Sequence, residues 1–97
     1  MARLVSCTEK LLSGEIPELI TAVGGMKKEG SGWVRWRKSQ AAAIAEIEAG
    51  EQTYYVNVEG STPNLVVASH RDAKYLKAPL DREAPTTLLN LPDCPKT

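Results

Sequence analysis

The chain has no phenylalanine, a single histidine and only two cysteines among its 97 residues. One histidine, His70, and two widely separated thiols do not supply the ligand spacing of a metal site. No apolar run approaches the roughly 20 residues that cross a bilayer. The net charge is zero, so no overall attraction to nucleic acid or to an anionic membrane is expected. Because phenylalanine is absent, the aromatic core must come from Trp33, Trp36, Tyr54, Tyr55 and Tyr75.

The amino-acid composition, with 42% apolar and 25% charged residues, is typical of an ordinary soluble globular protein. This length predicts one domain, residues 1–97. The first residues soon become polar and lack the apolar stretch of a signal peptide, which indicates a cytoplasmic protein. In that compartment Cys7 and Cys94 are expected to be reduced thiols, although a disulfide between them would contribute about 4–5 kcal/mol through chain entropy.

Residues 39–50 predict the main helix. The Ser39 hydroxyl can accept a hydrogen bond from an unpaired N–H of the first turn, and the alanines that follow have the highest helix propensity. Gly50 is a typical stop, since glycine adopts the left-handed conformation that ends helices. Ala43, Ile44 and Ile47 share one face. Because about ten residues are too few for a helix that stands alone in water, this face must pack against β-strands.

Strands are predicted on both sides of this helix, at residues 3–7, 19–23, 33–37, 53–59 and 64–69, with a short strand or edge at 74–77. Gly24-Gly25 is expected to end the second strand in a turn with positive φ, and it lacks the further residues of a phosphate-binding loop. A long polar turn, residues 26–32, follows. Segments 53–59 and 64–69 are expected to pair as a hairpin with Tyr54, Val56 and Val58 towards the helix.

Four prolines after residue 78 forbid long regular elements near the end of the chain. Leu88, Leu89 and Leu91 are nevertheless apolar, so this tail is expected to lie across the domain and bury some of them. The fold class predicted is α+β: an antiparallel sheet of about five strands, one α-helix packed on one face, and an extended C-terminal tail.

Several blocks of residues resemble a family of small bacterial domains of unknown function. The N-terminal blocks are Val23-Gly24-Gly25, Trp36 with Ser39, Ala43-Ile44, Ile47-Glu48, Gly50 and Tyr54-Tyr55-Val56. The more specific part is C-terminal: Lys74-Tyr75-Leu76-Lys77, Asp81, Pro85 and Leu88-Leu89-Asn90-Leu91-Pro92-Asp93-Cys94-Pro95. The sequence departs from that family at Ala78 and at Thr86-Thr87. The resemblance spans about residues 19–95 and implies a small α+β domain with no assigned activity.

The sequence's clearest candidate surface is basic and aromatic: Lys27, Lys28, Trp33, Arg35, Arg37 and Lys38. Strand alternation places Trp33, Arg35 and Arg37 on one side and Val34 with Trp36 on the other. Basic side chains interleaved with an aromatic ring are typical of a single-stranded nucleic-acid platform. The alternative is a solvated face, with Trp33 packed under arginine stems. The helix end is acidic, with Glu46, Glu48 and Glu51, and such a dipolar surface also suits a protein partner.

No catalytic arrangement stands out, because neither cysteine has a neighbouring base and nothing near Cys94 would lower its pKa. The function predicted is therefore non-catalytic binding, first of a protein partner or of a second copy, as an adaptor, inhibitor or regulator. Nucleic-acid binding through the basic stretch is the alternative, and a small enzyme is third. No cofactor and no metal are expected.

Overall fold

The computed structural model describes residues 2–11 and 14–94, and Leu12, Ser13 and Pro95 lie outside these ranges. In chain order the elements are β1 (Ala2–Leu4), β2 (Cys7–Lys10), a 3-10 turn (Ile16–Glu18), β3 (Ile20–Glu29), β4 (Gly32–Ser39), α1 (Gln40–Glu48), β5 (Thr53–Tyr55), β6 (Val66–His70), β7 (Ala73–Lys77) and α2 (Thr86–Leu89). Within the described ranges, no helix is long and apolar enough to cross a membrane.

Helix α1 confirms the prediction at both ends. The Ser39 hydroxyl accepts a hydrogen bond of 3.2 Å from the Ala42 N–H, and the left-handed Gly50 (φ 73°) follows the last turn. Ala43 and Ile44 are buried in the core, and Ile47 packs against it. The amide of Gln40 fixes the first turn to neighbouring elements, because it donates to the Pro17 carbonyl and accepts from the Leu76 N–H. Local signals and tertiary contacts therefore agree along the whole helix.

The α+β class is confirmed, but the single sheet of about five strands is wrong: the described strands form three small sheets. Strands β2, β3 and β4 form an antiparallel sheet in that order, β6 and β7 form a hairpin, and β1 pairs in parallel with β5. The predicted first strand divides because the chain changes partners around Val5. The Val5 N–H bonds the Tyr55 carbonyl, and the next N–H, of Ser6, bonds the Gly24 carbonyl.

The predicted hairpin between residues 53–59 and 64–69 is found only in part: the two segments run antiparallel, with a bridge between Tyr55 and Asn64, but they form no continuous ladder. Strand β5 stops at Tyr55, and the two segments are joined only by isolated contacts, such as the bond from the Leu65 N–H to the Tyr54 carbonyl. Tyr54 and Val56 are buried as predicted, whereas Val58 is exposed because the chain turns at once through Glu59 and Gly60, both with positive φ. Strand β6 instead pairs with β7, which confirms the short strand predicted at residues 74–77.

Strand β3 continues through Gly24-Gly25 to Glu29, so the predicted turn at the two glycines and the long turn at 26–32 are both wrong. Only Gly30 and Ser31 separate the strands, since Glu29 is paired with Gly32. Gly30 has φ 58°, and glycine at the first position of a two-residue hairpin turn permits this conformation. Polar residues are common in this hairpin because solvent surrounds it, and in the sequence such polarity resembles a turn signal.

The C-terminal tail completes the core, as predicted. Leu88 is fully buried, and Leu89 and Leu91 pack against the cluster formed by Val5, Ile20, Tyr54, Leu76 and their neighbours. Hydrogen bonds fasten the tail to β2: the Thr8 hydroxyl donates to the Leu88 carbonyl at 3.0 Å, and Lys10 Nζ donates to the Leu91 carbonyl at 2.7 Å. The short helix α2 was not predicted, because prolines on either side of it favoured irregular structure.

Candidate functional site

A disulfide joins Cys7 in β2 to Cys94 in the C-terminal tail. Their Cα atoms are 4.8 Å apart, although 87 residues separate them in the sequence. The expectation of two reduced thiols is therefore wrong, because the tail returns to β2 and brings Cys94 beside the first strand of the sheet. Both sulfur atoms are thereby removed from nucleophilic chemistry. His70 Nε2 lies 3.7 Å from a Glu15 carboxylate oxygen.

The two glycines of β3 are explained by this packing and not by turn conformation. A Cβ atom at Gly24 would lie 2.8 Å from the Trp36 carbonyl oxygen and 3.0 Å from the Cys94 sulfur. A Cβ atom at Gly25 would lie 2.6 Å from the Leu4 carbonyl oxygen and 3.1 Å from Trp36 Nε1. Both approaches are closer than real side chains allow, so the disulfide and the β1–β2 segment can lie against β3 only where it lacks side chains.

Gly25→Ala is accordingly expected to lower the free energy of unfolding by about 2 kcal/mol, because backbone atoms must move to admit the methyl group. Gly32→Ala is the matched control: it lies at the start of β4, a methyl group added there would have no described atom within 4 Å, and stability should change by less than about 0.5 kcal/mol. Urea unfolding followed by tryptophan fluorescence measures both. Equal effects of the two substitutions would contradict the steric explanation.

Beyond Gly25 and Trp36, strands β3 and β4 pair only with each other, since the pairing of β2 reaches no further than Gly24. We call this two-stranded segment, residues 26–35, the ribbon arm. Trp33 is 64% exposed and Met26 45% exposed, and Val34 is also exposed on the opposite face. An isolated two-stranded ribbon is only marginally stable in water. The arm nevertheless leaves these three apolar side chains exposed to solvent, which is typical of a surface that binds a partner.

The six residues of the predicted basic surface are divided between the two faces of the hairpin. Cross-strand pairing places Trp33 opposite Lys28, and Arg35 opposite Met26, so these four side chains share one face with Arg37. Lys27 and Lys38 are on the other face. The alternation predicted for Trp33, Arg35 and Arg37 is confirmed, since all three are exposed while Trp36 is buried. The structure therefore brings four of the six together.

Ion pairs reduce the charge available on this surface. Arg37 forms a two-pronged contact with Glu9, and this hydrogen bonding raises the pKa of the guanidinium. Lys38 Nζ is 2.5 Å from a Glu46 oxygen, and Lys27 Nζ is 3.6 Å from a Glu29 oxygen. Within residues 2–11 and 14–94, Lys28 and Arg35 have no ion-pair partner. Among the six residues of this surface, the cations without an ion pair in the described ranges are thus the two that flank Trp33.

A pocket of about 590 Å³ opens at the base of the arm. Sequence reasoning missed it, because its walls come from four separate stretches of the chain: Ser6, Cys7, Gly25, Met26, Arg35, Trp36, Arg37, Pro92, Asp93 and Cys94. The indole N–H of Trp36 is buried, with no hydrogen-bond partner among the described residues. Arg3 lies over its ring, 5.4 Å from the ring centre to the guanidinium carbon. Only the two cysteines could have signalled that these segments meet.

The acidic end of α1 serves internal contacts. Glu46 accepts hydrogen bonds from Lys38 and from the Tyr54 hydroxyl, and these bonds lower its pKa. Burial raises the pKa of Tyr54, and the Glu46 carboxylate adds to this shift. Glu48 pairs with Lys74 at 2.6 Å. The predicted acidic surface is therefore largely neutralised within the chain.

Comparison of the chain with family models, with curated proteins and with solved structures finds no match. The resemblance to small bacterial domains therefore stays a prediction. In the described part of the chain, no group of three or more histidine, cysteine, aspartate or glutamate side chains is placed to hold a metal ion.

Proposed function

We propose that the chain is a non-catalytic binding module that holds a protein partner through the ribbon arm. The observation that supports this most is Trp33, a large aromatic side chain 64% exposed at the end of an arm that nothing in the described chain covers. Tryptophan, arginine and methionine are enriched at the centres of protein interfaces, and Trp33, Arg35 and Met26 are all on one face of the arm. An adaptor, inhibitor or regulator would use such a surface.

Single-stranded nucleic acid is the second candidate, because Lys28 and Arg35 flank Trp33 on one face. It is weaker, since Lys27, Arg37 and Lys38 already neutralise acids of the chain. A single ring also offers only one stacking platform. A small enzyme comes third, because both cysteines are joined in the disulfide.

The disulfide also bears on location. Disulfides persist in oxidising compartments and are rare in the cytosol. We therefore favour a compartment that permits disulfides over the cytoplasmic location that the sequence predicts.

The test is affinity capture from a lysate of the native host, with and without nuclease, using the wild type and Trp33→Ala/Arg35→Ala. We expect the wild type to capture a protein that stays bound after nuclease treatment. The double variant should bind this protein about thirtyfold more weakly, because interface anchors contribute about 2 kcal/mol or more. Leu80→Ala is the matched control, since Leu80 is 95% exposed and distant in sequence from the arm. Nuclease-sensitive capture that depends on Trp33 would favour nucleic acid instead.

A further inference from the structure

The outer edge of β4 is long and uncovered. Strand β4 has eight residues and is the last strand in the order β2-β3-β4. The opposite edge of this sheet is protected by the tail, because the Thr8 N–H bonds the Pro92 carbonyl at 3.0 Å and the Cys94 N–H bonds the Thr8 carbonyl at 3.1 Å. No strand among the described residues pairs with β4 on its outer side. One edge of the sheet is therefore closed and the other is open.

Backbone geometry identifies the groups that face outwards. The Gly24 carbonyl accepts from the Ser6 N–H at 2.9 Å, so the backbone groups of Gly24 point towards β2 and away from β4. In an antiparallel pair the directly opposite residue then points away from β3. That residue is Arg37, and strand alternation gives Arg35 and Trp33 the same direction. Three N–H groups and three carbonyls are thus presented at the open edge, spaced as a ladder requires.

The charge of β4 selects among possible occupants of this edge. The strand carries Arg35, Arg37 and Lys38 and contains no acidic residue. Antiparallel pairing of two copies centred on Arg35 would place arginines directly opposite one another, and like charges in that position are destabilising. An extended segment with an acidic residue opposite Arg35 would place its carboxylate beside a cation that has no ion pair among the described residues, whereas Arg37 already pairs with Glu9. Lysine and arginine on an edge also discourage indiscriminate strand pairing, so the same charges exclude the wrong strands.

We propose that β4 binds an extended acidic segment of a partner protein as an additional strand of the β2-β3-β4 sheet. This inference rests on the proposed protein-binding function and specifies its chemistry. Main-chain hydrogen bonds to Trp33, Arg35 and Arg37 supply affinity, and the Arg35 side chain selects an acidic side chain about 5 Å away across the new ladder. Trp33, at the outer end, covers an apolar side chain of the partner.

The probe is a synthetic peptide of about ten residues in which glutamate alternates with valine, measured by fluorescence anisotropy. Two substitutions at one position separate charge from hydrogen bonding. Arg35→Gln removes the charge, whereas Arg35→Pro removes the charge and the outward N–H without touching the β3–β4 ladder. We expect Arg35→Pro to bind about tenfold more weakly than Arg35→Gln, since the peptide carbonyl is left without a donor. Equal affinities of the two variants would overturn strand addition.

A second measurement does not depend on how well the proline variant folds. Methylation of alternate peptide nitrogens removes the donors of one peptide edge and leaves every charge in place. Methylation on the paired edge should abolish binding to the wild type, and methylation on the other edge should leave it intact. Equal binding by both methylated peptides, or no binding of the unmethylated peptide, would refute the inference. So would a dimer of the wild type that Arg35→Pro abolishes, because it would identify a second copy as the occupant.

Failure of this inference is distinguishable from failure of the proposed function. If a captured partner depends on Trp33 but is held equally by Arg35→Gln and Arg35→Pro, the arm binds protein through side chains alone and the strand-addition inference fails. If capture is indifferent to Trp33, the proposed function fails.

Discussion

Cys94→Ser is expected to lower the free energy of unfolding by about 4 kcal/mol, the largest effect of any single substitution considered. The bridge joins residues 87 positions apart, and a cross-link that closes so long a loop removes much of the entropy of the unfolded chain. For a domain of this size, about 4 kcal/mol corresponds to a fall in Tm of roughly 15–30 °C. The tail remains fastened by Thr8 and Lys10, so the fold should survive at low temperature.

Urea unfolding with and without a thiol reductant measures this effect. The wild type should lose stability on reduction. Cys7→Ser, Cys94→Ser and the double variant should be insensitive to the reductant and should all have the same lowered free energy of unfolding. This pattern would show that stability is lost because the disulfide is absent and not because serine replaces cysteine. A wild-type midpoint that the reductant leaves unchanged, with free thiols demonstrated by labelling, would show that the bridge does not stabilise the domain.

Leu88→Ala is expected to lower the free energy of unfolding by about 3 kcal/mol. Leu88 is fully buried at the junction of the tail with Val5, Leu76 and the other core residues, and the truncated side chain would leave a cavity that the surrounding backbone cannot fill. The Thr8 hydroxyl donates to the carbonyl of Leu88, which holds the tail in place and limits collapse. A loss of about 3 kcal/mol should move the thermal midpoint by roughly 10–20 °C.

Leu80→Ala provides the comparison within the same tail. Leu80 is 95% exposed, so its removal should alter the free energy of unfolding by less than about 0.5 kcal/mol. Both variants retain the disulfide, and thermal unfolding in oxidising buffer isolates the packing effect. Similar melting temperatures for Leu88→Ala and Leu80→Ala would show that the tail is not part of the core.

The helix could be predicted because its signals are local. Ser39 caps the first turn and Gly50 ends the last, and neither role depends on the rest of the chain. Strand pairing has no such local signal, so the division of the first strand at Val5 and the separation of β5 from β6 were missed. Gly24 is an example. A glycine that is needed because the Cys94 sulfur packs against it cannot be distinguished in the sequence from a glycine that is needed in a turn.

The candidate surface was predicted in part for the same reason. Alternation along one strand placed Trp33, Arg35 and Arg37 together, because a period of two needs no tertiary information. The ion pair of Arg37 with Glu9 joins residues 28 apart, and it could not be read from the strand itself. The disulfide is not predicted either, since the argument from cellular compartment favours reduced thiols and nothing in the sequence outweighs it.

The closure of the chain's two ends on each other has a consequence for biosynthesis. Strand β2 bonds the tail at Pro92, Cys94 and Leu88, and β1 pairs with β5, so the tail on the outer edge of β2 and the partner of β1 are translated much later than these strands. A chain growing from the ribosome cannot complete this core until Leu88 has left the exit tunnel. Strand β2 can pair with β3 early, but β1 and the outer edge of β2 remain unpaired until these later segments emerge, and a chaperone that shields unpaired strands would act on them first.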